Sequence, residues 1–394
     1  MKNIVLFSLL SLFILACSEH TELTTYKSQL DNLQRQYKTF HAHAPRFYLF
    51  GMGNREKFIY KDCRLINLDK DSIVFKANDV ISDSIMPDSY MVEIKTKQGV
   101  IQIKEDNSSI WIIHNNYRKN LSEKKCTINL PNFNGYKYSK VLRVLHHEIL
   151  INIRDSRIYP NIFVYQEPFY RDAFMASLCL EKTNNTHLII PWINQINCVY
   201  DMQNREPEVD NIGELLYMLS YIPKDSNLSM RQEVRKQIEQ QTIKMGTNIF
   251  VKGHTDGSDN AEYQTQILKL ALKKNGMKDH FTTTPPEEAG PYFDLCWFTQ
   301  GSSHKRDLSQ LYRDIRFNYE DSPFPYLQWA RAHYYDNHQA PFNNQPYPLS
   351  WEKRGGSAHF DGMRIISEKA SDDRICYPHV WTAAEMFLKL YEER

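Results

Sequence analysis

The apolar residues of this chain follow two different periods, and the change between them falls near residue 136. Between residues 46 and 130 they alternate within short runs bounded by turn residues, the pattern of half-buried strands. Ile73-Val74-Phe75, Tyr90-Met91-Val92-Glu93-Ile94, Val100-Ile101-Gln102-Ile103 and Ile110-Trp111-Ile112-Ile113 are such runs, with turns at Gln98-Gly99 and Asp106-Asn107. Beyond Pro131-Asn132-Phe133-Asn134-Gly135 the spacing becomes helical: Val141, Leu142, Val144, Leu145, Ile149 and Leu150 recur at i, i+3, i+4 and i+7. Further helices are expected over 171–183, 186–197, 211–221, 229–245, 260–275, 307–316, 324–336 and 378–392, with almost no strand signal among them. The expectation is a mainly α protein: a small β-rich domain over 46–135, then a helical domain over 136–394.

The first residues constrain location. Lys2 precedes an apolar run from Ile4 to Leu15, the length of a signal-peptide core and too short to span a bilayer. The run ends Ile14-Leu15-Ala16-Cys17, which resembles a bacterial lipobox. That resemblance implies a signal peptide over 1–16, acylation of Cys17 and a polar tether over 17–45. Stable anchoring takes more than one acyl chain. The expected location is therefore a membrane-anchored lipoprotein, periplasmic or on the cell surface, touching the membrane through lipid alone.

Charge excludes one partner class. Lys+Arg 48 against Asp+Glu 47 leaves +1, so no basic footprint for nucleic acid is expected. Aromatic content is high, with 24 Tyr, 20 Phe and 6 Trp, which supplies flat faces for sugar rings as well as core. Apart from Cys17 there are cysteines at 63, 126, 179, 198, 296 and 376, which either pair or stay as buried thiols.

Familiar catalytic signatures are missing. His146-His147-Glu148 lacks the second histidine of a zinc helix, and no Cys-x-x-Cys pair occurs, so neither metal nor cofactor is expected. Gly51-Met52-Gly53-Asn54 lacks the third glycine of a dinucleotide loop and reads as a turn. No Gly-x-Ser-x-Gly elbow offers a serine nucleophile.

What remains is a set of carboxylates among aromatics where helices begin. Tyr165-Gln166-Glu167-Pro168-Phe169-Tyr170-Arg171-Asp172 runs into a helix, where Asp172 is either a cap or a reactive acid. Asp256, in Gly253-His254-Thr255-Asp256-Gly257, either forms a turn or points at a ligand. Trp351-Glu352 sets a carboxylate beside an indole, His359-Phe360-Asp361 follows, and Tyr377-Pro378-His379-Val380-Trp381 opens the last helix.

Phe169-Tyr170-Arg171-Asp172-Ala173, Tyr326-Leu327-Gln328-Trp329-Ala330 with His333-Tyr334, Trp351-Glu352 and Pro378-His379-Val380-Trp381 resemble the six-hairpin, or (α/α)6-barrel, glycosidase superfamily over roughly residues 136–394. The β-rich segment resembles the sandwich-like modules that precede such barrels. The resemblance implies Asp172 and Glu352 as acid and base in one aromatic-lined cleft, with Asp361 and Asp256 as alternates. It also implies Tyr170, Arg171, Trp329, His333, Trp351, His359, His379 and Trp381 as substrate-binding residues. Lys353-Arg354 and Gly355-Gly356 around Glu352 depart from that pattern.

Glycoside hydrolysis needs one protonated carboxyl and one carboxylate. The expected function is hydrolysis of an oligo- or polysaccharide by such a pair. The alternatives are a glycan-binding lipoprotein without catalysis, and a polysaccharide lyase on the same barrel using His254, His333 or Tyr334. For the anchor, labelled palmitate should enter the wild-type precursor in cells, and Cys17→Ser should abolish it. Equal labelling of the variant would reject the lipobox.

Overall fold

The computed structural model of the chain describes residues 47–123, 125–162, 165, 167–282, 284–290, 292–299, 344, 351–352 and 377–394, and of 351–352 and 377–378 the backbone alone. Residues 1–16, the tether over 17–45 with Cys17, and the helices expected over 307–316 and 324–336 lie outside the described residues.

Two antiparallel meanders form the N-terminal part. Strands β1 (Phe47–Phe50), β2 (Phe58–Lys61), β3 (Arg64–Asn67) and β4 (Ser72–Lys76) make the first. Strands β5 (Val80–Met86), β6 (Met91–Thr96), β7 (Gly99–Glu105), β8 (Ile110–His114) and β9 (Tyr117–Asn120) make the second. Alternation decides what faces inward: Val92 and Ile94 are buried while Lys95 between them and Thr96 is exposed. Tyr48, Phe50, Phe58, Tyr60 and Leu65 of one sheet meet Val92, Ile94, Ile103, Ile110 and Ile112 of the other in a shared core.

The helical part contains α1 (Ser139–Ile151), α2 (Tyr170–Lys182), the single turn α3 (Ile190–Ile193), α4 (Asp210–Met218), α5 (Leu228–Gln241), α6 (Ala261–Lys274) and α7 (Val380–Tyr391). The C-terminal helix packs on both α1 and α2, α2 packs on α4, and α4 on α6. Small residues make the close packing possible: Ala173 and Ala176 of α2 and Ala383 and Ala384 of α7 are all fully buried. Gly213 serves α4 likewise, since a Cβ there would stand 2.7 Å from the backbone nitrogen of Leu268 in α6. Asn344 brings its side-chain oxygen to the first turn of α1, accepting the N–H of Lys140 at 3.0 Å.

The mainly α expectation, an (α/α)6 barrel, is overturned. Of the described residues 36% are helical and 24% are in strands. Antiparallel ribbons occur throughout the segment expected to be helical: β10 (Ile153–Arg154) with β11 (Arg157–Ile158), β12 (Thr242–Met245) with β13 (Asn248–Val251), β14 (His254–Thr255) with β15 (Ser258–Asp259), and β16 (Trp351–Glu352) with β17 (Tyr377–Pro378). The helix expected over 229–245 ends at Gln241 for a physical reason. Thr242, Ile243, Thr247, Ile249 and Val251 are β-branched around Gly246, whose φ of +58° suits a tight hairpin loop. Over 186–197 the expected helix is a 3-10 turn at Thr186–Leu188 and one α turn carrying Pro191.

One loop fastens the sheets to the helices. Gly51 and Met52 donate their N–H groups to the Glu105 carboxylate at 2.9 and 2.8 Å. Arg55 forms a fully buried ion pair with Glu105 at 2.8 Å and donates to the carbonyls of Asp106, Asn107 and Cys126. Lys57, buried and pushed down to about 7 by desolvation, donates to the carbonyls of Gly51 and Gly53. Gly53 N–H reaches Leu150 of α1 at 2.8 Å, and His147 of α1 contacts the Leu49 carbonyl at 2.9 Å. Gly51, at φ +104°, admits no side chain, because a Cβ would lie 2.1 Å from the Glu56 carbonyl oxygen. The Gly-Met-Gly-Asn segment is thus a turn, as its sequence implied.

Glu105→Gln should cost about 3–5 kcal/mol in urea unfolding, since it leaves the buried Arg55 charge without its counter-ion. A loss under about 1 kcal/mol would show the pair to be replaceable by a neutral hydrogen bond.

Candidate functional site

The first turn of α2 presents Tyr170, Arg171 and Asp172 in succession, and each is held differently. Phe169 occupies the cap position without a side-chain acceptor. Asp201 supplies it from another loop, accepting the Tyr170 N–H at 2.6 Å and the Gln203 N–H at 3.0 Å. Capping is therefore done by Asp201 and not by Asp172. The Tyr170 ring is buried against Trp192 at 6.2 Å, with its hydroxyl donating to the Cys198 carbonyl at 2.9 Å.

Arg171 anchors a carboxylate network. Its Nε donates to Asp210 at 2.8 Å and its Nη2 to Glu208 at 3.1 Å, while Nη1 lies 3.8 Å from Asp256. Glu208 and Asp210 are buried, whereas the Asp256 side chain is 46% exposed. Asp256 sits in the β14–β15 turn at φ +49°, followed by Gly257 at +84°, the backbone of an Asp-Gly hairpin. Its carboxylate accepts the Tyr292 hydroxyl at 2.6 Å and the Asn204 amide at 3.4 Å. Asp256 forms the turn its sequence implied, and its carboxylate faces the network.

One guanidinium cannot offset all these acids. Glu214, a turn further along α4, is buried with Tyr263 Oη at 3.1 Å and Asn211 Nδ2 at 3.2 Å from its oxygens. Burial first and the Asp210 charge second push its pKa well above the usual carboxylate range, so it stays protonated. Asp201 is pushed up to about 6 by burial, against the pull of the two backbone N–H groups it accepts.

Asp172 lies on the other side of the helix start. Its side chain is 9% exposed, faces the backbone N–H of Trp381, and stands 4.0 Å from His379 Nε2. Among the described residues its Oδ1 makes no hydrogen bond. Burial raises its pKa to about 7, the Asp201 charge adds to the rise, and Arg171 opposes it. Burial holds His379 down to about 3, so the imidazole is neutral beside it. Tyr165 sets its ring edge-on to Phe169 at 5.4 Å and to His379 at 6.1 Å, giving the carboxyl a partly exposed aromatic rim. The N–H of Val380 bonds to the Pro160 carbonyl at 2.8 Å, which fixes the start of α7 against this region.

Of the residues expected to share a site, Tyr170, Arg171, Asp172, Asp256, His379 and Trp381 do converge on the start of α2. The backbone register pairs Trp351 with Pro378 and Glu352 with Tyr377, next to His379, but the two side chains are outside the described residues. Trp329, His333, His359 and Asp361 also lie outside them. Sequence reasoning missed Asp201, Glu208, Asp210 and Glu214. The available signal was the acidic density of Glu206-Pro207-Glu208-Val209-Asp210 before a helix, more than capping requires. The cysteines at 63, 126, 179 and 198 are free thiols. No family model, curated protein or solved structure matches this chain.

Asp172 and Asp201 bind protons more tightly folded than unfolded, so their contribution to stability is full below about pH 4 and is lost as pH rises towards 7. Urea unfolding followed across that interval should show a smaller slope for Asp172→Asn, by about 1.4 kcal/mol per pH unit. An unchanged slope would remove the tight proton from Asp172.

Proposed function

We propose that the chain is a carbohydrate-active hydrolase in which Asp172 donates a proton to the leaving glycosidic oxygen and Asp256, exposed and held by Arg171 and Tyr292, is the partner acid. The observation that carries this reading is a buried carboxyl, Asp172, that keeps its proton at a helix start whose other side carries a carboxylate network. Asp172 is desolvated, protonated near pH 7 and rimmed by aromatics, while Asp256 is open to solvent and tied to Arg171 and Tyr292. A carboxyl that burial keeps protonated near neutral pH is suited to the donor role. Neutral His379 leaves the Asp172 proton in place, and Tyr165 and Phe169 offer faces for a sugar ring. Anchored by Cys17, the enzyme would work beside a membrane on oligo- or polysaccharide outside the cytoplasm.

Incubating the purified chain, without residues 1–17, with a panel of glycans should release shorter saccharides from at least one class. Asp172→Asn and Asp256→Asn should each lower turnover by a factor of about 10²–10⁴. Asp172→Asn retaining full turnover would sink the assignment, and glycan binding without turnover by the wild type would favour a non-catalytic binder.

A further inference from the structure

A polar cleft of about 470 Å3 opens at the seam between the sheets and the start of α1. Residues 88–90 and 104–107 line it from the β side, and Asn132, Asn134, Ser139, Lys140 and Arg143 from the helix side. None of the carboxylates around Arg171 lines it.

Its charges do not cancel. Glu105 is consumed by Arg55, and Asp106 is paired with Arg118 at 3.2 Å and accepts the N–H groups of Ser108 and Ser109. Lys104 and Lys140 are exposed and make no ion pair among the described residues. Arg143 is fixed without a carboxylate: its guanidinium stacks on Tyr90 at 4.6 Å and donates to the Asp88 carbonyl and the Asn132 side chain. Among the described residues that line the cleft, Asp88 is the one carboxylate not paired with Arg55 or Arg118, and it stands against these three cations. The Lys140 and Val141 N–H groups are already taken by Asn344, so side-chain charge is what the α1 start contributes.

We propose that this cleft binds a saccharide carrying carboxylate or sulfate groups. The surplus of Lys104, Lys140 and Arg143 selects an oxyanion, and the amides and hydroxyls of Asn107, Asn134, Ser89 and Ser139 suit sugar hydroxyls. The volume falls in the range of small-ligand sites, and a concave cleft favours a chain segment over a flat lipid surface. The inference extends the carbohydrate reading but is independent of hydrolysis, because it is tested by binding alone.

Calorimetric titration of the full mature chain carrying Asp172→Asn would compare a sulfated or carboxylated oligosaccharide with an uncharged one of equal length. The anionic sugar should bind at least about tenfold more tightly, and its affinity should fall with added salt. Lys104→Glu combined with Lys140→Glu should abolish the preference while the thermal midpoint stays unchanged, since both side chains are exposed. Equal affinity for both sugars, or an unchanged preference in the double variant, would overturn the proposal. So would binding to phosphatidylglycerol vesicles with none to the anionic sugar. Loss of turnover alone leaves it standing.

Discussion

The buried Arg55–Glu105 pair is the interaction on which the arrangement of this molecule depends. An ion pair without solvent is stable only when every remaining donor is satisfied. Here the remaining donors go to carbonyls of Asp106, Asn107 and Cys126, and the remaining carboxylate capacity goes to the Gly51 and Met52 N–H groups. Satisfying the charge thus specifies the path of three separate backbone segments. The same loop then contacts α1 through Gly53, so the sheet core and the helical core meet at a fixed place. Lys57 adds a second buried cationic side chain, which donates to backbone carbonyls, and its depressed proton affinity records how dry the junction is.

The region around Arg171 solves the opposite problem. At the junction one guanidinium meets one carboxylate; at the start of α2, Asp201, Glu208, Asp210, Glu214 and Asp256 compete for one guanidinium. The competition is resolved by protonation of some acids and exposure of others: Glu214 keeps its proton, and Asp256 turns to solvent. Such a cluster is expensive for a purely structural part, because apolar residues of similar volume would pack there without the desolvation cost. Acids whose proton affinities have been pulled apart within one cluster are what proton-transfer chemistry uses.

Much of the fold was legible in the sequence where one physical signal dominated. The alternation at Val92 and Ile94 and the i, i+3, i+4 spacing from Val141 to Leu150 place β6 and α1, because burial of one face decides both. Legibility failed where local preference and periodicity disagreed. Helical spacing runs through Thr242 and Ile243, yet the β-branched residues around Gly246 make a hairpin, and four such ribbons among the described residues turn an expected helical barrel into a mixed structure. At the site, the aromatic-flanked Asp172 could be found because its neighbours in sequence are also its neighbours in space. Asp201 could not, since its function as a cap depends on a loop folding back across 31 residues to Tyr170. Glu208 and Asp210 resembled ordinary helix-start acids, and only the position of Arg171 gives them another meaning.

The geometry of a helix start explains why Asp172 keeps its proton beside an arginine. Consecutive residues on an α-helix diverge by roughly 100°. Arg171 is therefore directed to Glu208 and Asp210, while Asp172 is directed to His379 and the first turn of α7. Two carboxylates hold the guanidinium on its own side, so its charge lowers the proton affinity of Asp172 less than burial raises it. Asp201 couples the two sides. Its charge raises the proton affinity of Asp172, and the charges of Asp210 and Glu208 raise that of Asp201 in turn.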